Sequence, residues 1–378
     1  MSKALRDFVI SNLVNIPGWR TRRKLVVIES DDWGSIRMPS KEVYRFLENK
    51  GYKVSSDPFM RVDSLAAESD LSALFEVLNS VTDFNGRPAV ITANTIVANP
   101  DFQRIRESDF RQYFYEDFRT TLKRYPEHSG AFNLWKQAMD TGVFHPQFHG
   151  REHLNTARWM KALQKNDPMV MQAFDLGMIS ISSEPSPMLF GYMESLDYHD
   201  EEEKAAKSEI LTDGMQLFEQ IFGYRSTSFI ANCFVWTKQN EEVLQKSGVK
   251  YLQGIVQQLS PEVNSGKHRF RKKYHYTGQT NLTGQTYLTR NAYFEPCLYP
   301  GSDHVGACLK RVNTAFRYGK PAIISAHRLN FIGFIDPENR KVNLKQFKLL
   351  LDSLLKQWPE IEFVTSDQLG DMINQTVV

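Results

Sequence analysis

Short apolar runs alternate with longer amphipathic segments along most of the chain. The short runs are rich in β-branched and aromatic residues, as strands are, whereas the longer segments repeat their apolar positions at helical spacing. This alternation predicts an α/β fold with a parallel sheet, and seven or eight strands separated by helices indicate a closed or nearly closed barrel. The predicted strands cover residues 25–30, 89–94, 143–150, 228–231, 251–256, 286–289, 322–325 and 361–365.

The length of the chain fits one elaborated barrel domain. It has 378 residues, of which 41% are hydrophobic, and a barrel of this type needs about 250 residues. We therefore expect a single domain over 1–378. Within it, 1–23 forms an N-terminal amphipathic helix and lead-in, and 101–142 forms a helical insertion over the sheet. Residues 261–285 read as a surface hairpin.

The net charge and the cysteines limit which binding partners and which cellular compartment the sequence predicts. The formal net charge is +2, so no overall field favours nucleic acid or a membrane surface. The three cysteines, Cys233, Cys297 and Cys308, are widely spaced and predict neither a disulfide framework nor a CxxC metal site. No apolar run is long enough for a transmembrane helix. We expect a cytoplasmic protein.

Two adjacent acids end the first predicted strand. Asp31 and Asp32 follow the apolar run 25–28 and precede Trp33 and Gly34, which places their carboxylates at the carboxyl end of a parallel sheet. Adjacent side chains on an extended backbone point to opposite sides. The two acids therefore have different roles. One natural division is that one carboxylate binds a metal ion and the other transfers a proton.

Three of the nine histidines fall within nine residues. His145, His149 and His153 are spaced four apart, and side chains at that spacing share one face of a helical turn. We place His145 on a strand and the pair His149/His153 across the turn into the next helix. Imidazole with carboxylate suits Zn²⁺, with other divalent transition metals as alternatives. A further histidine, His327, ends the strand at 322–325 and is a candidate acid.

These motifs resemble those of the NodB-type polysaccharide deacetylases, the fourth carbohydrate esterase family, in the same order along the chain. The resemblance runs from about residue 25 to 373 and implies a distorted (β/α)₇ barrel with helical insertions. It also implies metal-dependent removal of an N- or O-acyl group from a sugar. By position, Asp32, His149 and His153 would be the metal ligands, Asp31 the base and His327 the acid.

The chain departs from the family pattern around the base. The family's Arg-x-Pro motif, whose arginine steadies the base, is matched here by Ile230-Ala231-Asn232, so that arginine must come from elsewhere. Arg290 and Arg328 are the candidates, and Glu295 or Asp303 would hold a proton on His327. The side chains predicted to contact substrate are Trp33, Asn232, Trp236, Arg290 and Arg328.

The predicted function is removal of an N-acetyl or other acyl group from a saccharide by a hydrolase with one divalent metal, Zn²⁺ as the best fit. Three alternatives remain open. They are a formamido-sugar deformylase, a metal-assisted phosphoesterase and a catalytically silent carbohydrate-binding barrel.

Overall fold

The strands form one large sheet and two small ones. The computed structural model describes residues 3–181 and 191–376, and strand bounds within them are as follows: β1 Lys24–Trp33, β2 Ile91–Ile96, β3 Ala98–Pro100, β4 Tyr115–Asp117, β5 Phe144–Gly150, β6 Ser228–Ile230, β7 Tyr251–Gly254, β8 Gln257–Asn264, β9 Lys267–Tyr274, β10 Thr286–Thr289, β11 Ala292–Tyr293, β12 Ala322–His327 and β13 Ile361–Phe363.

The large sheet is parallel and curled. Its strand order is β10-β7-β6-β5-β2-β1-β12-β11, and every pairing within it is parallel. The short β13 pairs with the first residues of β1. Strand β2 pairs with later residues of β1. This is the barrel-type α/β fold predicted from the sequence.

Fourteen α-helices lie among the described residues. Their bounds are α1 Lys3–Leu13, α2 Lys41–Asn49, α3 Pro58–Arg61, α4 Glu68–Asn79, α5 Phe102–Glu107, α6 Phe118–Lys123, α7 Ala131–Asp140, α8 Thr156–Gln164, α9 Pro168–Asp175, α10 Glu201–Phe222, α11 Lys238–Lys246, α12 His304–Arg317, α13 Pro337–Gln357 and α14 Ser366–Gln375. No helix among the described residues is long and apolar enough to cross a membrane.

Alternate residues of β1 belong to two different cores. Val26 and Ile28 join the large cluster formed with the outer helices, whereas Leu25 and Val27 join a smaller cluster that includes Leu369 and Ile373 of α14. The two-residue period of a strand produces this division. It also carries Glu29 and Asp31 onto the same side as Leu25 and Val27, inside the curled sheet.

The predicted insertion at 101–142 divides into two parts. Its first part packs partly against α8 and α9, where Ile105 joins Trp159 and Phe174 in a separate cluster. Its last part, α7, buries Trp135 and Ala138 in the main core. In the chain, α7 lies between β2 and β5, which pair parallel, so it has the position of a crossover helix. The predicted hairpin is present as β8 and β9, which pair antiparallel.

The packing of α14 against β7 is tight at one glycine. A Cβ built on Gly370 would lie 2.3 Å from Cδ1 of Tyr251, and the Tyr251 side chain is almost fully buried.

We predict that Gly370→Ala destabilises the protein by about 1–3 kcal/mol, the usual cost of overpacking. Gly254→Ala is the control, because a Cβ there would meet nothing closer than 3.7 Å. Denaturant unfolding measures both variants. Equal stability of the two would contradict the close packing of α14.

Candidate metal centre and active site

One buried carboxylate and two buried imidazoles converge at the carboxyl end of the sheet. Oδ1 of Asp32 lies 3.3 Å from Nε2 of His149 and 3.3 Å from Nε2 of His153. Ligand atoms of the three residues all lie within 4.8 Å of one another. Asp32 has a φ of +74°, a conformation that is uncommon for a residue other than glycine and that marks functional sites. This buried group could bind a metal ion.

The two histidines converge without a helical turn between them. His149 lies on β5 and His153 in the loop before α8, which begins only at Thr156. The prediction of a helical turn was therefore wrong. The chain turns at Gly150, whose φ is +130° and where a Cβ would lie 3.1 Å from Oδ1 of Asn232. A residue with a side chain would be strained there.

The hydrogen bonds and burial of the imidazoles suit metal ligands. Nδ1 of His149 lies 2.9 Å from the carbonyl oxygen of Ile230. Because a carbonyl only accepts, Nδ1 donates this hydrogen bond, and Nε2 is the ring atom that faces Asp32. Burial lowers the pKa of His153 to about 3, so that imidazole is neutral. One carboxylate and two imidazoles are a donor set that fits Zn²⁺.

Asp31 is held by an arginine inside the barrel. Nη1 and Nη2 of Arg290 each donate to a different carboxylate oxygen of Asp31 at 2.6 Å, and Asn94 donates to Oδ1 at 2.7 Å. Burial alone would raise the pKa of Asp31, but Arg290 outweighs it and lowers the pKa to about 2. Of the two arginines proposed to orient Asp31, Arg290 makes this contact.

The same arginine binds a second carboxylate that the sequence analysis missed. Nε of Arg290 donates to Glu29 at 2.6 Å, and the Ser366 hydroxyl donates to the other oxygen of Glu29 at 2.8 Å. Burial raises the pKa of Glu29 although Arg290 opposes this. A signal was available, because Glu29 lies in a buried strand two residues before Asp31 and so on the same face.

His327 is paired with Glu295. Nδ1 of His327 lies 2.7 Å from Oε1 of Glu295, and Asn330 donates to Oε2 of the same carboxylate at 2.7 Å. Burial alone would lower the pKa of His327, but Glu295 outweighs it and raises the pKa to about 10. Nε2 of His327 faces Asp31 at 3.9 Å. Of the two proposed partners, Glu295 is the one in contact, whereas Asp303 caps α12.

The remaining predicted residues divide between the site and the packing around it. Asn232 lies at the site, since its Nδ2 donates to the backbone oxygen of His149 at 3.1 Å. Arg328 instead forms a buried pair with Asp63, with two hydrogen bonds of 3.0 Å. His145 lies away from the metal ligands, 3.1 Å from Asp367.

Neither predicted tryptophan presents a ring to the site. Trp33 is 1% exposed and packs edge-on against Trp135 and Phe144. Trp236 is 3% exposed and donates to Glu241 at 2.9 Å. The predicted contact of these two rings with substrate therefore finds no support in their positions, and packing in the core explains both.

Two further side chains lie near the site but belong to no sequence motif. Arg37 lies beside Asp32, with Nη2 3.4 Å from Oδ2. The ring of Phe59 lies 5.7 Å from the ring of His327 and 5.7 Å from the guanidinium carbon of Arg37. Both residues belong to the segment between β1 and α4, in which the sequence shows no pattern of chemical residues.

The chain is similar in structure to several known enzymes at low sequence identity. It matches no family model and no curated protein. A 4-alpha-glucanotransferase from Thermococcus litoralis aligns over 92% of this chain, which spans only 40% of that enzyme, at 10% identity and a TM-score of 0.44. A putative polysaccharide deacetylase from Mycobacterium smegmatis aligns over 96% of this chain and 94% of its own, at 10% identity and a TM-score of 0.45. PuuE allantoinase aligns over 93% and 91%, at 9% identity and a TM-score of 0.46. At these values the reaction has to be argued from the site itself.

We predict that His149→Ala and His153→Ala each abolish stoichiometric metal binding, because each removes one of three protein ligands. His145→Ala is the control and keeps the metal, since His145 contacts Asp367 instead. Elemental analysis of the purified proteins measures the metal content. Full metal content in His149→Ala would refute the ligand assignment.

Proposed function

We propose that this chain is a divergent NodB-type deacetylase, a single-domain hydrolase that removes an N-acetyl or other acyl group from a saccharide. In this proposal Asp32, His149 and His153 hold one divalent cation, for which Zn²⁺ is the best fit. Asp31 is the base and His327 is the acid.

One observation carries the proposal: the group of possible ligands lies next to two proton-transferring side chains in opposite charge states. Arg290 holds Asp31 as a carboxylate and Glu295 holds His327 as an imidazolium, and these two groups face each other across 3.9 Å. Titratable pairs whose environments drive their pKa values apart are the usual basis of acid and base roles. A sugar-binding protein without catalysis has no need of this arrangement.

Amide hydrolysis needs an activated water and a proton for the departing nitrogen. A bound divalent cation supplies a Lewis acid, which polarises the acyl carbonyl and brings the pKa of water toward about 7. Asp31 accepts the proton of the attacking water. Because the pKa of Asp31 is low, Asp31 is a weak base. It therefore needs a water molecule whose own pKa has been lowered.

His327 is the second proton-transferring group in the proposed reaction. Its Nδ1 donates to Glu295, which leaves Nε2 to donate a proton to the leaving nitrogen as the tetrahedral intermediate collapses. Arg290 and Asn94 fix Asp31 at two oxygens, and this limits the directions from which Asp31 can accept a proton. The reaction yields a free amine and a carboxylic acid.

We predict that the metal-loaded protein releases acetate from at least one member of a panel of N-acetylated saccharides. Asp31→Asn keeps the metal and loses turnover, whereas Asp32→Asn loses both, because only Asp32 faces the two imidazoles. N-formylated and phosphorylated saccharides are tested in parallel, with formate and phosphate as the measured products. Release of formate alone would indicate a deformylase, release of phosphate alone a phosphoesterase, and no release of any would favour a silent binding barrel.

We predict that kcat/KM falls at alkaline pH as His327 loses its proton near pH 10. Glu295 raises the pKa of His327, so the acid form persists below that pH and is lost above it. Glu295→Gln removes the largest raising charge and should shift the alkaline limb to lower pH, since burial is then opposed only by Asp31 and Asp32. His327→Ala should cost roughly 10²- to 10⁴-fold on an amide.

An activated ester is the control for this assignment. Its leaving group needs little protonation, so His327→Ala should slow ester hydrolysis far less than amide hydrolysis. Equal losses on the two substrates would mean that His327 supports the structure or the oxyanion and does not supply a proton.

A further inference from the structure

The arginines around the candidate site differ in how well they are paired. Arg290 makes short hydrogen bonds to Glu29 and Asp31, and Arg328 makes two bonds of 3.0 Å to Asp63. Each of these guanidinium groups is saturated by carboxylates and has a structural explanation. Arg37 is different.

Arg37 is buried and poorly paired. Its side chain is 8% exposed, and its one hydrogen bond to a carboxylate is the 3.4 Å contact of Nη2 with Asp32. Nε has no hydrogen-bond partner among the described residues and lies 3.8 Å from Asp63, beyond hydrogen-bonding distance. Nη1 contacts the sulfur of Met193. A buried guanidinium without full partners is costly, so these donors call for an explanation.

The nearby carboxylates are already committed elsewhere. Asp63 is bound on both oxygens by Arg328, and the charge of Asp32 serves the cation when one is bound. Glu194, on the segment that also carries Met193, lies 3.7 Å from Arg158, which is beyond hydrogen-bonding distance, and burial raises the pKa of Glu194. When a cation is bound, Arg37 therefore has no carboxylate among the described residues that serves it alone.

We propose that Arg37 recognises an anionic group of the substrate, and that the substrate is an acylated saccharide carrying a carboxylate near the scissile amide. This inference rests on the proposed deacetylase function. A carboxylate matches the single charge of the Arg37 guanidinium, whereas a phosphate monoester carries close to two charges at neutral pH and serves as the competing anion in the test. The guanidinium also matches the planar geometry of a carboxylate.

The position of Arg37 fits a contact near the scissile bond. Its guanidinium carbon lies 5.7 Å from the ring of Phe59, which in turn packs edge-on against the ring of His327. His327 retains 25% exposure of its side chain, so the proposed acid borders solvent. Phe59 thus lies between the partly exposed His327 and the guanidinium of Arg37.

The test compares matched ligands that differ in charge. The probes are the methyl glycoside of N-acetylglucosamine and its derivatives with a carboxylate at C6, with a carboxymethyl ether at O3, or with a phosphate at C6. Calorimetric binding is measured to zinc-loaded Asp31→Asn protein, so that no turnover occurs. We expect at least one carboxylate ligand to bind tenfold or more above the neutral parent, the difference expected for about one charged hydrogen bond.

Arg37→Met in the same background should remove that preference, measured as the ratio of carboxylate to neutral affinity within each variant. Arg37→Lys should keep part of the preference and serves as the substitute if Arg37→Met does not fold. Arg23→Met is the matched control, because Arg23 pairs with Glu362 at the surface. Zinc content is measured for every variant.

Each outcome decides the question. Equal binding of the neutral and both carboxylate ligands to the Arg37-containing protein would overturn the proposal and leave Arg37 as a residue that orients Asp32. Tighter binding of the phosphate than of either carboxylate would overturn the choice of anion. A carboxylate preference without acetate release from any substrate would refute the deacetylase and leave the anion site standing.

Discussion

The buried guanidinium of Arg290 is the interaction on which the site depends. It binds Glu29 and Asp31 inside the curled sheet and also donates to the hydroxyl of Ser325 at 3.0 Å. Arg290 therefore links the strand end after β10 to β1 and β12. The two carboxylates respond differently, because Asp31 receives two bonds from Arg290 and one from Asn94, whereas Glu29 receives only one from Arg290. The pKa of Asp31 falls and that of Glu29 rises.

The candidate site consists of separately balanced units. Asp31 is balanced by Arg290, His327 by Glu295, and Arg328 by Asp63. Each buried charge thus has a partner at short range, which is the condition under which charges are tolerated away from water. The ligand group around Asp32 and the neighbouring Arg37 are the exception. That imbalance lies where a cation and a substrate would bind.

The segment after β6 shows how this chain differs from the NodB pattern it resembles. The position of the family's arginine motif is occupied by Ile230-Ala231-Asn232, yet the segment still borders the ligand group. The carbonyl of Ile230 fixes the tautomer of His149, and Asn232 donates to the backbone of His149. The segment supports the group of candidate ligands, while the arginine that holds Asp31 follows the end of β10.

The sequence by itself determined the parallel sheet, the strand ends and the types of residue found there. Strand periodicity placed Asp31 and Asp32 at the end of β1 and His327 at the end of β12, and these positions depend only on local pattern. Strand periodicity could not decide which arginine reaches Asp31 or which carboxylate reaches His327, since Arg290 lies 259 residues from Asp31. It also gave no sign of Arg37, which belongs to no motif. The turn between His149 and His153 was also misjudged, because its geometry depends on Gly150 packing against Asn232. Such pairings arise only when the curled sheet brings distant strand ends together, and burial there makes each pairing strong enough to set a charge state.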